Sequence, residues 1–284
     1  MLARCGTAPA GKVITDVLES RRVSLLLFGI LFTATTHLNA QGVDAQTAVR
    51  AAVNAELNSA RTDHSAWCYR DHDDQPDRNA LYQVIETPKG DLKRMIELNG
   101  HPLAGSAEQQ EIQRIRDFVD SPSEQARERR EGAHDDAQAR ELLTMLPNAF
   151  LWSVAGENPQ EIILRFKPNP DFRPPDMQSR VLGVMAGEMV IARDGNRIQT
   201  LKGTLTDDVK FGFGLLGKID KGGTFDVERR EIAPGHWQIT QTHVHIGGHA
   251  LLFKTIGQQE DEVKSDWRPS TAPNLQVAEQ EILR

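Results

Sequence analysis

Residues 187–205 read GEMVIARDGNRIQTLKGTL. The first part is a strand that puts Met189 and Ile191 on one face. Asp194-Gly195-Asn196 is a tight turn, and a second strand starts at Arg197. Outward from this hairpin the same alternation of strand and turn repeats. Extended segments are expected at 149–154, 161–167, 209–215, 224–232, 236–246 and 249–267, separated by Gly156-Glu157-Asn158-Pro159, a Pro-rich loop at 168–175, Gly222-Gly223, Pro234-Gly235 and Gly247-Gly248. Turns this short make consecutive strands hairpin neighbours. No helix–strand alternation follows residue 150, which argues against a doubly wound parallel sheet.

Upstream, residues 65–72, 80–87 and 92–98 read as a three-stranded meander closed by Asn99-Gly100. A helix precedes it over 44–61 (DAQTAVRAAVNAELNSAR), with Asp44 as cap and Ala45, Ala48, Val49, Ala52, Val53, Glu56 and Leu57 at helical spacing. After the meander comes a polar helical insertion over 105–147, which packs mainly through Ile112, Ile115, Phe118, Leu142, Leu143 and Leu146. Residues 269–284 have no core pattern and read as a flexible tail. The expected fold class is mainly β (α+β): about eleven antiparallel strands, an N-terminal helix and a helical insertion in one domain over 41–268. Sheets this wide curl or close rather than stay flat.

The chain has 284 residues, 33 Lys+Arg against 40 Asp+Glu, 39% hydrophobic and 26% charged residues. This composition fits a globular protein, and its acidic balance excludes the basic face of a nucleic-acid binder. Arg21-Arg22, the apolar run 23–32 (VSLLLFGILF) and Ala40 have the pattern of a cleaved secretory signal over 1–40. The run is too short to span a bilayer. The expected protein is therefore periplasmic or secreted and not membrane-spanning after cleavage. Cys5 leaves with that segment. Cys68 then has no disulfide partner and reads as a small apolar residue, with a thiol–imidazole pair to His64 or His72 as the alternative.

Gly212-Phe213-Gly214-Leu215-Leu216-Gly217 matches G-x-G-x-x-G by letter. No helix can open in the Gly-rich stretch that follows, so no nucleotide cofactor is implied. His243 and His245 share a strand face, and with His249 across a hairpin turn they form the metal candidate; without paired Cys or H-E-x-x-H spacing, no metal is assigned. The acidic pairs Asp73-Asp74, Asp135-Asp136 and Asp207-Asp208 fit turns and a polar helix.

What remains is an apolar sheet face, with Leu92 and Ile96 from the meander, Ile162, Leu164 and Phe166, then Met189 and Ile191, Phe211 and Phe213, Trp237 and Ile239, and Phe253. A hollow lined in this way holds a lipid or another hydrophobe. The alternative is that the first helix and the apolar ends of the insertion fill it.

The segments 81–100 (LYQVIETPKGDLKRMIELNG), 161–170 (EIILRFKPNP) and 187–205 carry a family likeness. Together with the leader, first helix and helical insertion, they resemble the half-barrel of bacterial lipoprotein carriers, the LolA/LolB-like fold, and uncharacterised exported bacterial proteins of similar pattern. The resemblance implies a half-barrel envelope protein, a non-enzymatic carrier or sensor of a lipid, acyl chain or lipid-modified protein, with no cofactor. Two other expectations stand beside it: an envelope protein–protein interaction module with a filled core, and a metal-dependent hydrolase using His243 and His245.

Overall fold

The computed structural model describes residues 42–284 apart from 177–178, 212–216, 251–253 and 256–257. The expected signal segment and Phe213 and Phe253 lie outside the described residues. Residues Gly42–Arg284 form one compact unit, and among the described residues no helix is long and apolar enough to cross a membrane.

Helix α1 (Ala45–Thr62) begins where Asp44 accepts the Thr47 N–H at 2.8 Å, as its cap position predicts. Strands β1 (Trp67–Gln75), β2 (Arg78–Thr87), β3 (Gly90–Leu98) and β4 (His101–Pro102) form the first meander. Asn99 and Gly100 turn the chain with φ of 52° and 76°, the left-handed conformation that Asn-Gly tolerates. Helices α2 (Gly105–Asp120) and α3 (Pro122–Ala149) follow. A second meander then runs through β5 (Phe150–Glu157), β6 (Glu161–Pro168), β7 (Met185–Ala192) and β8 (Arg197–Leu205). Short strands β9 (Val209–Phe211) and β10 (Gly217–Ile219) lead to β11 (Thr224–Ala233) and β12 (His236–Ile246). Short β13 (Gly248–Ala250) and β14 (Lys254–Thr255) precede β15 (Gln258–Pro269), and α4 (Leu275–Ile282) ends the chain.

The main sheet has eleven antiparallel strands in the order β4-β3-β2-β1-β15-β12-β11-β8-β7-β6-β5. Strand β15 pairs with β1 on one side and β12 on the other, which fuses the two meanders. Strands β14-β13-β10-β9 make a separate four-stranded sheet. That sheet was not expected: β9 lies within segment 209–215, and β13, β14 and β15 divide the segment 249–267 that reads as one strand. The expected flexible tail is also corrected. Asn274 caps α4 by accepting the Val277 N–H, and Leu275, Ala278 and Ile282 are buried. Spacing of three and four residues puts these side chains on one stripe, a pattern too brief to stand out in the sequence. Likewise Pro147 does not end the helical block: α3 runs through it to Ala149.

Register partners share a face of a sheet. One row crosses ten strands, through Val154, Leu164, Met189, Leu201, Val227, Thr242, Glu262, Asp73, Ala80 and Leu98. Its first half is apolar and lies under α1, with Leu164 and Met189 fully buried. The neighbouring row faces the other way and is charged: Arg165, Glu188, Lys202, Asp226, His243, Asp261 and Asp74. A second core lies on that opposite face, where Cys68, Ile85 and Leu92 meet Ile115 and Val119 of α2 and the buried side of α4.

Gly187 and Gly203 are partners between Phe166 and Phe225. A Cβ on Gly203 would stand 2.3 Å from the Phe225 ring, and one on Gly187 would stand 1.9 Å from the Lys202 carbonyl oxygen. The backbone of β8 leaves no room for a side chain at Gly187, and the side chains of Phe225 and Met185 leave none at Gly203. Paired glycines overlaid by an aromatic ring are a means of curving a sheet. Replacing Gly203 by Val is expected to cost at least about 1–3 kcal/mol through overpacking, read as a lower midpoint in urea unfolding. Wild-type stability in that variant would remove the close approach as a constraint.

Candidate functional site

Helix α2 packs on the opposite face of β2 and β3. At Ser121 the chain turns into α3, which passes the β2–β3 turn, where Arg129 donates to the Lys89 carbonyl at 3.3 Å. The far end of α3 reaches the α1 face, where Leu146, Pro147 and Ala149 are buried. From Arg127 to Ala137, three turns, every residue is exposed. A helix that is polar on all sides bridges rather than packs. This stretch is a strap, held at both ends.

Beside the strap is a cavity of about 420 Å³, lined by α1 (Glu56, Ser59, Ala60, Asp63), Ser65, α3 (Asp136, Leu143) and the β11–β12 hairpin (Arg229, Trp237, Gln238, Ile239). The helical spacing of α1 puts Glu56, Ser59, Ala60 and Asp63 on one side. In the hairpin, a register shift between Glu228 and Arg229 pairs Arg229 with Ile239 and Glu231 with Trp237. Trp237 is half-buried and Ile239 is 40% exposed.

Glu56 anchors the inner wall. Its carboxylate accepts from Arg197 Nε at 3.1 Å and Nη2 at 2.8 Å and from the Ile198 N–H at 2.9 Å. It is also paired with Arg229. Burial by itself would raise the Glu56 carboxyl, but Arg197 and Arg229 outweigh it and the net shift is downward. The Arg197 guanidinium lies over the Trp237 ring at 5.7 Å. A salient charge on a buried stripe is the signal in the sequence: Glu56 sits among Val49, Ala52 and Val53 of α1. Its partners, about 140 and 170 positions away, carry no such sign.

Asp63 and Asp136 line the cavity, and Glu86 and Asp91 are cross-strand partners on β2 and β3. Asp63 accepts from the Ser65 N–H at 2.9 Å and stands 3.1 Å from His236 Nδ1. Glu86 accepts the Trp67 N–H at 2.8 Å. Burial pushes Glu86 up to about 7, helped by the negative charges of Asp91 and Asp63 and opposed by Lys264. Asp91 keeps solvent access, yet the surrounding walls raise its pKa, as does Asp136 of the strap. Sequence reading missed Asp63, Glu86, Asp91 and Arg229, since isolated acids and an arginine in a chain with 40 acids form no motif, and it placed Asp136 only in an acidic pair on a polar helix.

The structure distributes the expected apolar face over several places. Ile162, Leu164, Phe166, Met189 and Ile191 are at most 5% exposed and are packed beneath α1 and the end of α3. Leu92 lies on the opposite face under α2 and α4, and Ile96 is half-buried at the register shift between β2 and β3. Phe211 is in β9 of the small sheet. Trp237 and Ile239 are the two that line the cavity.

Nucleophilic and metal chemistry fare differently from their residue types. Ser65 Oγ and Asp63 both approach the same His236 nitrogen, Nδ1, at 3.3 and 3.1 Å. A hydrolytic triad needs them on opposite nitrogens. Cys68 is buried in the α2–α4 core, and His72 faces Asn79 at 3.0 Å. His243 Nδ1 and His245 Nε2 both hold the Asp261 carboxylate, at 2.5 and 3.0 Å. These contacts hold Asp261 below the usual carboxylate range. His249 lies in β13 of the small sheet. Among the described residues no group of three or more His, Cys, Asp or Glu is arranged to hold a metal ion.

No family model, curated protein or solved structure matches this chain.

Two outcomes follow from the charges. Glu56→Ala leaves buried Arg197 and half-buried Arg229 without their carboxylate and is expected to cost about 3–5 kcal/mol in chemical unfolding at pH 7. Because the folded pKa of Glu56 lies below its ordinary value, this stabilisation is complete above about pH 4.5 and fades as pH falls through the folded value. Glu86 has the opposite sign: its raised pKa makes stability fall as pH rises from about 4.5 to about 7. Glu86→Gln should flatten the decline of melting temperature between pH 5 and 8. An unchanged slope would show that Glu86 is not the group responsible.

Proposed function

We propose that this protein is a non-enzymatic carrier or sensor of an amphiphile, one acyl chain or the lipid of a modified partner, and that it acts outside the cytoplasm. The observation that carries this reading is the strap: three exposed turns of α3, anchored at its ends and by Arg129 to the Lys89 carbonyl, beside a cavity floored by Trp237 and Ile239. A half-buried Trp beside an exposed Ile, next to a bridging helix, is apolar surface that a ligand can remove from water, at about 25 cal/mol per Å². The cavity falls within the size range of small-molecule sites, about 300–1,000 Å³. A strap without side-chain packing can shift to enlarge the site without breaking the core beneath α1. An open eleven-stranded sheet crossed by a helix is also compatible with the resemblance to lipoprotein carriers, which stays part of this proposal, as does export by the N-terminal segment.

A second reading has its own support. Six of the expected lining side chains are at most 5% exposed, which favours a filled core and a partner docking on the polar insertion.

Titration with a fluorescent fatty acid separates the two. Ile239→Asp, a change at an exposed position, should weaken uptake at least about tenfold while the melting temperature holds, since burying an unpaired carboxylate against the ligand is costly. Leu151→Asp, at a position 43% exposed on edge strand β5, should bind as wild type. No uptake by the wild-type protein, with partner capture lost on deletion of residues 123–139, would replace the carrier with the interaction module.

A further inference from the structure

The two edges of the main sheet are built differently. Strand β4 is two residues long and contains Pro102, and shortness and proline both keep an edge from pairing further. Strand β5 has eight residues, Phe150–Glu157. No charge occurs from Asn148 to Gly156 (NAFLWSVAG) in a chain with 26% charged residues. Leu151 and Val154 on this strand are 43% and 39% exposed, two of the five large hydrophobics exposed among the described residues. A bulge between Val154 and Gly156 ends the regular stretch.

The unused backbone groups of β5 follow from its register. The Asn169 N–H donates to the Ala149 carbonyl at 2.9 Å. Antiparallel partners alternate between bonded and non-bonded pairs, so Leu151 and Ser153 are the residues bonded to Lys167 and Arg165 of β6. Trp152, between them, aims its N–H and C=O away from the sheet. The Phe150 carbonyl and the Val154 N–H point the same way. This set of donors and acceptors is symmetric about Trp152.

We propose that β5 pairs antiparallel with β5 of a second copy of this chain, about a two-fold axis at Trp152. The two Trp152 residues exchange N–H···O bonds, and the Val154 N–H of each copy donates to the Phe150 carbonyl of the other. Leu151 of one copy lies opposite Ser153 of the other. Charge complementarity selects a second copy as the occupant. At the start of β5, Arg50 of α1 bonds Asn148 at 3.0 Å, and among the described residues it has no carboxylate partner. Glu157 stands at the other end of the strand. Pairing about Trp152 sets Asn148 opposite Gly156 of the second copy, which brings Arg50 beside Glu157 at both ends of the contact. An isologous contact satisfies both edges at once and closes the assembly at two chains. The ladder is short, so the dimer is reversible, with a dissociation constant in the micromolar range.

Sedimentation velocity of the purified protein across the micromolar range should show a monomer–dimer equilibrium. Ser153→Lys, an exposed change, sets two lysines diagonally across the axis beside Arg165 and should weaken the dimer at least about tenfold with the melting temperature unchanged. Val154→Pro removes an outward N–H, which an edge strand tolerates, and should weaken it to a similar extent. If Val154→Pro fails to fold, Ser153→Lys still decides. Arg50→Glu, on the exposed side of α1, places like charges at both ends and should weaken the dimer about threefold. A dimer that Ser153→Lys and Arg50→Glu leave intact overturns pairing through β5. A monomer at every concentration overturns it as well, and slow hydrogen exchange of the Trp152 amide in that monomer would assign the edge to another segment of the same chain.

Discussion

Strand β15 is the hinge of the architecture. It pairs with β1 from Trp67↔Pro269 to Asp74↔Asp261 and with β12 from Gln241↔Val263 to Ile246↔Gln258. The first pairing joins segments almost 200 residues apart, and without it the molecule would be two separate meanders. Such a contact has a large loop-closure cost, which local hairpin pairing avoids. Both faces of β15 are reinforced at this seam. On one side His243 and His245 hold Asp261. On the other, Lys264 bonds Glu262, and Trp267 stacks on Tyr69 at a centroid distance of 4.3 Å.

Closing the sheet at β15 leaves β4 and β5 as its edges, on opposite sides. The chain must nevertheless pass directly from β4 to β5, and α2 and α3 make that crossing. A 28-residue helix spans roughly 42 Å at 1.5 Å per residue, so α3 is long because the sheet is wide. Its exposed central turns follow from the same constraint. The helix is anchored where it begins, by Ser121 and α2, and where it ends, by Leu146 and Ala149. The polar composition of residues 123–141 is what a bridge in water requires, and the space beside it is the candidate site.

The α1 face is divided by chemistry. Over β5 to β8 it is apolar and sealed by α1. Toward β15 and β1 it turns to Thr242, Glu262 and Asp73. Burial of Asp71 at 3% side-chain exposure is offset by Lys93 at 2.6 Å. The candidate site sits at the boundary, where an apolar floor meets the carboxylates of Asp63 and Asp136. A boundary of this kind suits a ligand with two ends. It also explains why the expected ligand face splits: the sealed half is core, and Trp237 and Ile239 lie just beyond it.

The elements that were legible in the sequence are those fixed by neighbouring residues. Asp44 caps α1, Asn99-Gly100 and Asp194-Gly195-Asn196 turn the chain, and alternation in residues 161–167 and 187–193 marks strands, because dihedral preference and side-chain period are local properties. Cys68 as a buried apolar residue was legible for the same reason. The decisions left to tertiary structure concern what meets what. Leu92 and Ile162 look alike in sequence, yet register across the sheet sends them to opposite faces. The stripe of Leu275, Ala278 and Ile282 becomes a core element only when β2 and β3 lie beneath it. Glu56 finds Arg197 and Arg229, and Asp136 comes to line a cavity with Asp63, through contacts whose sequence separation hides them. The sequence by itself determined a curled antiparallel sheet with a helical crossing. The site was decided by the fold, because pairing register and the path of α3 are non-local and only they bring these charges together.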